Sequence, residues 1–155
     1  MSISSFLLHN IAGLMFERPT RGLTAAVILQ RLEQSQVDFD QHLQQYAETP
    51  KNCALLGHII GVERWAQARL RQCISGPSAP DESDAYVPAP DVSFADLVAD
   101  AHRTRSDSVA LLGELIDAGV PLTRTIVHNQ FGALTVAAWS HYIAKHSMLE
   151  AKKMR

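Results

Sequence analysis

The chain has 155 residues, 46% of them apolar and 19% charged, with a formal charge of −2. That is enough apolar material for one core, and it excludes a disordered or low-complexity chain. Fourteen lysines and arginines against sixteen acids leave no cationic excess, which argues against a nucleic-acid partner held by phosphate contacts.

In chain order, Ile3, Leu7, Ile11 and Leu14 form one stripe and predict a short extra helix over 3–16, broken by Glu17-Arg18-Pro19-Thr20-Arg21-Gly22. A long helix is predicted over 23–47, with Val27, Leu32, Phe39, Leu43 and Tyr46 on its apolar face and Thr49-Pro50 at its end. The next spans 52–74, with Leu55, His58, Ile59, Val62, Trp65, Ala66, Arg69, Leu70 and Cys73 as its buried stripe. A loop rich in Pro, Ser and Asp follows to Val92, and its tract Asp81-Glu82-Ser83-Asp84 reads as solvated surface. Ser93-Phe94-Ala95-Asp96 resembles a capping box that opens a third helix, which Gly119 and Pro121 stop. Residues 122–128 are strand-like, and Asn129-Gln130-Phe131-Gly132 suits the turn of a short hairpin. The last helix is predicted over 135–154. These elements predict an all-α four-helix bundle in one domain, 1–155, with its core over 23–154 and an N-terminal extension over 1–22. The loop over 75–92 is long enough to cross the bundle rather than make a tight turn.

Cys53 and Cys73 fall near opposite ends of one predicted helix, roughly 30 Å apart and far beyond bridging. Two free thiols suit a reducing cytoplasm, the predicted location. No stretch reads as a membrane span. The apolar run over 6–16 is interrupted by His9 and Asn10 and lacks a basic start, so no signal peptide and no membrane partner are expected.

Seven histidines are many for this length and hint at metal or acid–base chemistry. A lone His58 on an apolar stripe is more often a core histidine bonded to a carbonyl than a ligand. The last helix changes that balance. Its stripe reads Trp139, Tyr142, Ile143, His146, Leu149, Glu150, Lys153, so His146 and Glu150 project from one face and together can grip a metal ion. The plainer reading is a His–Glu hydrogen bond on a half-exposed face. If the two helices run antiparallel, His58 and His146 fall at one level; if parallel, they are offset by about 10 Å. The candidate metal ligands are therefore His58, His146 and Glu150. His141 lies about 140° around the helix and is expected at the surface beside Lys145. His9, His42 and His102 fall in polar or terminal contexts. His128 is expected to hydrogen-bond the turn or to reach over the mouth of the site. Gly57 and Gly61 beside His58 suggest close helix packing.

The stretches Leu55-Leu56-Gly57-His58-Ile59-Ile60-Gly61-Val62-Glu63-Arg64-Trp65 and Gly132-Ala133-Leu134-Thr135-Val136-Ala137-Ala138-Trp139, running on to His146, resemble the DinB superfamily, the DinB/YfiT-like metalloenzymes. The resemblance implies a four-helix bundle with a divalent metal held by three histidines, one from the second helix and two at i and i+4 from the fourth. His58 and His146 match the first two. Glu150 stands at the third, a departure from the family pattern. The expected cofactor is zinc or nickel, ahead of iron or manganese. The characterised relatives include thiol-dependent transferases and isomerases, which implies a low-molecular-weight thiol as a further cofactor.

Two functions follow as expectations. The first is a metal-dependent enzyme acting on a small-molecule substrate, transferase-like or hydrolase-like, in which a water or thiolate on the metal becomes the nucleophile. No protein nucleophile is assigned. The second is a non-catalytic dimeric binding or stress-response module whose His58, His146 and Glu150 form a polar network or a degenerate site. The apolar stripe over 3–16 adds the expectation of a homodimer, because such a stripe buries against the bundle or a partner.

Overall fold

The structure is a computed structural model that describes residues 11–79 and 81–155. Ile3, Leu7 and His9 of the predicted N-terminal helix lie outside the described residues. The chain is mostly helical. Four long helices, α1 (Ala25–Leu43), α2 (Pro50–Ser75), α3 (Phe94–Asp117) and α4 (Val136–Ala151), carry one small hairpin of β1 (Thr125–His128) and β2 (Gly132–Thr135). Among the described residues, no helix is long and apolar enough to cross a membrane.

Each long helix starts on a hydroxyl cap. Thr24, Thr49, Ser93 and Thr135 accept the backbone N–H three residues on, from Val27, Asn52, Asp96 and Ala138. At Ser93 the expected box closes differently: the Asp96 carboxylate accepts from the Ser93 hydroxyl at 2.7 Å. Asp is one carbon shorter than the usual Glu of such a box.

Helix directions follow from the hydrogen bonds between them. Asn52 at the start of α2 bonds the backbone of Arg155, just past α4, while Trp65 further along α2 packs on Trp139 at the start of α4. The two helices are therefore antiparallel, the arrangement that levels His58 with His146. Gln36 bonds Ser106 and Asp40 bonds His102, so α1 and α3 are also antiparallel. Arg64 pairs with Asp100 and Gln67 with Thr104 and Ser108, so α2 and α3 run parallel. The segment over 76–93 consequently returns the length of the helices, as its length allowed.

The predicted break at 17–22 is helical as far as Thr20, through a π-helical turn (Gly13–Glu17) and a 3-10 turn (Arg18–Thr20). Pro19 is tolerated because it opens the new turn, where its missing N–H has no partner to lose. The Thr20 hydroxyl donates to the carbonyls of Phe16 and Glu17. Ala12 and Phe16, neither of them on the predicted stripe, bury against the core, whereas of the stripe's described members Ile11 is half-buried and Leu14 is 62% exposed, so the face that packs on the bundle is not the predicted one. Glu17 then ties this segment to α4 by accepting from both the backbone N–H and the hydroxyl of Thr135, at 2.8 and 2.9 Å.

The core carries an ion pair at its centre. Arg105 is fully buried and donates through Nε and Nη2 to the two carboxylate oxygens of Glu63, at 2.7 and 2.9 Å. Ser35 accepts from Nη1 and Ser147 from Nη2, and Ser108 donates to Glu63. Every polar atom of the pair is thereby satisfied, the condition under which a buried pair is tolerated.

Candidate metal centre

His58 sits in the third turn of α2 and His146 in the third turn of α4. With the helices antiparallel, their imidazole rings meet with centroids 5.3 Å apart. Glu150, one turn beyond His146 on the same face, completes a group whose ligand atoms all lie within 4.8 Å of one another. All three side chains are half-buried. Ligand atoms around one ion sit roughly 3.0–3.4 Å apart for bonds near 2.1 Å, so binding draws these donors closer together.

The electrostatics suit cation binding. Burial, and then the neighbouring His58, push the His146 pKa down to about 4, so this imidazole is neutral at pH 7 with a free lone pair. Burial works against ionisation of Glu150, but the ammonium of Lys153 outweighs it, with His146 and His58 adding, and holds the carboxyl below its ordinary value. Lys153 Nζ donates to Glu150 Oε1 at 2.6 Å. Tyr142, packed on His146, has its phenol pKa raised by burial and by the Glu150 charge, so it keeps its proton.

His58 and His146 open into a cavity of about 320 Å3. Its walls are mostly aromatic and apolar: Phe16, Val62, Trp65, Phe131, Tyr142 and Leu149. Ser83 and Glu82 of the crossover and Asn129 of the hairpin turn close one side. No family model, no curated protein and no solved structure matches this chain. The site is therefore read from its own geometry.

His128 bonds the turn, the first of its two expected roles, while its ring is buried in the cavity wall rather than held over the mouth. Its Nδ1 accepts the backbone N–H groups of Gln130 and Phe131, which fixes the turn and places the ring proton on Nε2. The ring lines the cavity, packed among Trp65, Trp139, Tyr142 and Phe131 with centroids 4.6–5.0 Å away. Nε2 is buried with no hydrogen-bond partner among the described residues. Burial, and then the charges of His146 and Arg69, hold its pKa near 4.

Other sequence readings need correction. His141 is half-buried, not at the surface; burial lowers its pKa first, with Lys145 and Arg31 adding. Asp81 does not belong to a solvated tract. Its carboxylate accepts from the Trp65 indole at 3.1 Å and the Arg69 guanidinium at 2.8 Å, and from the Tyr86 hydroxyl by a short bond. Its carbonyl accepts from the Asn129 amide at 2.9 Å. Asp81 thus fastens the crossover to α2 and to the hairpin beside the cavity. Gly61 does serve close packing, but the partner is the crossover and not a helix: a Cβ there would meet Val87 Cγ2 at 2.7 Å and the Ser83 carbonyl at 3.2 Å. His42 pairs with Tyr46 and His102 with Asp40, away from the centre.

Proposed function

We propose that this chain is a member of the DinB superfamily, a four-helix bundle that holds one divalent ion with His58, His146 and Glu150 and acts on a small-molecule substrate. The observation that carries this reading is the convergence of the three donors beside an apolar cavity, with His58 and His146 in its wall. The donor set fits a divalent ion: two imidazoles suit zinc or nickel, and the carboxylate also admits iron or manganese. When bound, such an ion supplies Lewis acidity, which lowers the pKa of a coordinated water or thiol. The chain's own residues do the rest. His146 needs no deprotonation before it ligates, Tyr142 offers a proton-bearing hydroxyl, and the aromatic walls exclude water from the reacting group. The reaction class we infer is transferase-like or hydrolase-like, with a low-molecular-weight thiol as the further cofactor. A cytoplasmic location and a homodimer complete the reading, the former supported by two free cysteines.

One observation favours a second reading, a non-catalytic dimeric helical module with a degenerate site. Lys153 occupies one oxygen of Glu150, so this carboxylate has a cationic partner without an ion. Competition titrations of tag-free protein with zinc and manganese separate the two readings. Wild type binds one ion per chain, and His58→Ala loses it. Glu150→Gln weakens binding by about tenfold or more, and Glu150→His restores it with a shift toward zinc. Indistinguishable curves for wild type and Glu150→Gln would leave the degenerate site standing.

A further inference from the structure

The charge of the cavity wall bears on what enters it. Among the described residues that line it, Glu82 at the mouth carries the one full charge, and neither lysine nor arginine is present. Residues 1–10 contain no lysine or arginine either. Among the described residues, the Arg and Lys whose charges reach the site histidines are already engaged: Arg69 holds Asp81 at 2.8 Å and lies over the Trp65 face, and Lys153 holds Glu150 at 2.6 Å. A carboxylate carried on the body of a ligand would leave water, find no counter-charge among these lining side chains, the proposed ion being taken by the donor head, and meet Glu82. An aromatic or alkyl body meets the reverse situation, because Phe16, Trp65, Phe131 and Tyr142 offer ring faces and edges on several sides.

We infer that the site selects a ligand with a single donor head, directed at His58, His146 and Glu150, and a ring-sized apolar body that carries no negative charge. This rests on the proposed metal reading for the head alone; the choice of body follows from the cavity wall. Thiols with several carboxylate arms fit the wall poorly. A thiol or thiol acceptor with an uncharged aromatic or alicyclic body fits it well. The volume, about 320 Å3, accommodates one substituted ring rather than an extended peptide-like molecule.

A matched pair of probes tests the inference. Benzyl mercaptan and 4-(mercaptomethyl)benzoate share head and ring and differ by one carboxylate. Their affinities are read by calorimetry on the zinc-loaded chain, and by saturation-transfer NMR on chain stripped with chelator. Benzyl mercaptan is expected to bind at least about tenfold more tightly in both forms. Glu82→Gln, a change at an exposed position, narrows the gap to within about threefold, and Glu82→Lys closes or inverts it. Equal or tighter binding of the carboxylate by wild type overturns the inference. A gap that persists in the stripped chain while zinc strengthens neither probe upholds it and sinks the metal reading instead. A gap that Glu82→Lys leaves untouched removes Glu82 from the argument and overturns the electrostatic basis of the selection.

Discussion

Protonating His128 places a charge between two indoles and a phenol, with no acidic partner. Its folded pKa near 4 lies below the ordinary 6.5, and His146 is displaced the same way. Between those pH values the unfolded chain takes up protons that the folded chain refuses, so stability rises with pH across that window. Unfolding by urea in chelator should therefore give a midpoint that is flat above pH 7 and falls steadily from pH 6.5 to 4.5. For His128, 4% exposed, the loss at the acid end reaches at most about 3 kcal/mol. His128→Asn keeps an acceptor near Nδ1 for the turn and removes the titration, so it should be less stable at pH 7 yet show a shallower slope. An unchanged slope would assign the acid sensitivity elsewhere. At this scale the candidate ligands were legible because His146 and Glu150 share a helix face by spacing alone and His58 lies on a stripe. Asp81 was not legible. Its partners Arg69 and Trp65 lie 12 and 16 residues away, and only the folding-back of the crossover turns a run of acids into an anchor.

The crossover rests on α2 through two glycines one turn apart, and their surroundings differ. A Cβ at Gly57 would meet Val87 Cγ1 at 3.7 Å, an ordinary contact, whereas at Gly61 the distances fall to 2.7 Å from side chain and 3.2 Å from backbone. Gly57→Ala should stabilise by up to about 1 kcal/mol, the gain in helix propensity. Gly61→Ala should lose about 1–3 kcal/mol, because the loop must lift. Lifting it also displaces Ser83 from the cavity, so Gly61→Ala should weaken binding of benzyl mercaptan while Gly57→Ala leaves it alone. Thermal melts and calorimetry on both variants check this, and equal behaviour of the two would show that the loop does not bear on the site. Helix existence and order were readable from apolar periodicity and, for the third helix, from its Ser93 cap, and the hairpin from its β-branched run; the caps at Thr24, Thr49 and Thr135 were not read. The ends were less so. The first helix stops at Leu43 instead of 47, and the last at Ala151 instead of 154, where local turns compete with the helix. The helical run through Pro19 was hidden because Thr20 and Glu17 draw its stability from hydrogen bonds that no local pattern announces.

The pairing of Glu63 with Arg105 belongs to the molecule as a whole. The two residues are 42 apart, and each looks like an ordinary surface charge until α2 and α3 lie parallel across the full crossover. Four segments then converge on one guanidinium, since Ser35, Glu63 and Ser147 come from the other three helices. Arg105→Met leaves the Glu63 carboxylate buried without its partner and should destabilise by about 3–5 kcal/mol. Adding Glu63→Leu should recover much of that loss in urea unfolding, since a shape-matched apolar pair needs no counter-charge. A double variant as unstable as the single would mean that the serines, not the ion pair, hold the centre. The same whole-chain arrangement gathers both tryptophans of the sequence at one place, with centroids 5.4 Å apart and His128 wedged against each. Trp139 is fully buried, its N–H on the Ile126 carbonyl; Trp65 faces the cavity, its N–H on Asp81. The indole emission of this protein therefore originates at the wall of its candidate site, from Trp65, and directly behind that wall, from Trp139. The fold carries a built-in optical reporter, whose colour and yield follow the occupancy of the cavity and the integrity of the Asp81 anchor, and whose signal needs no label.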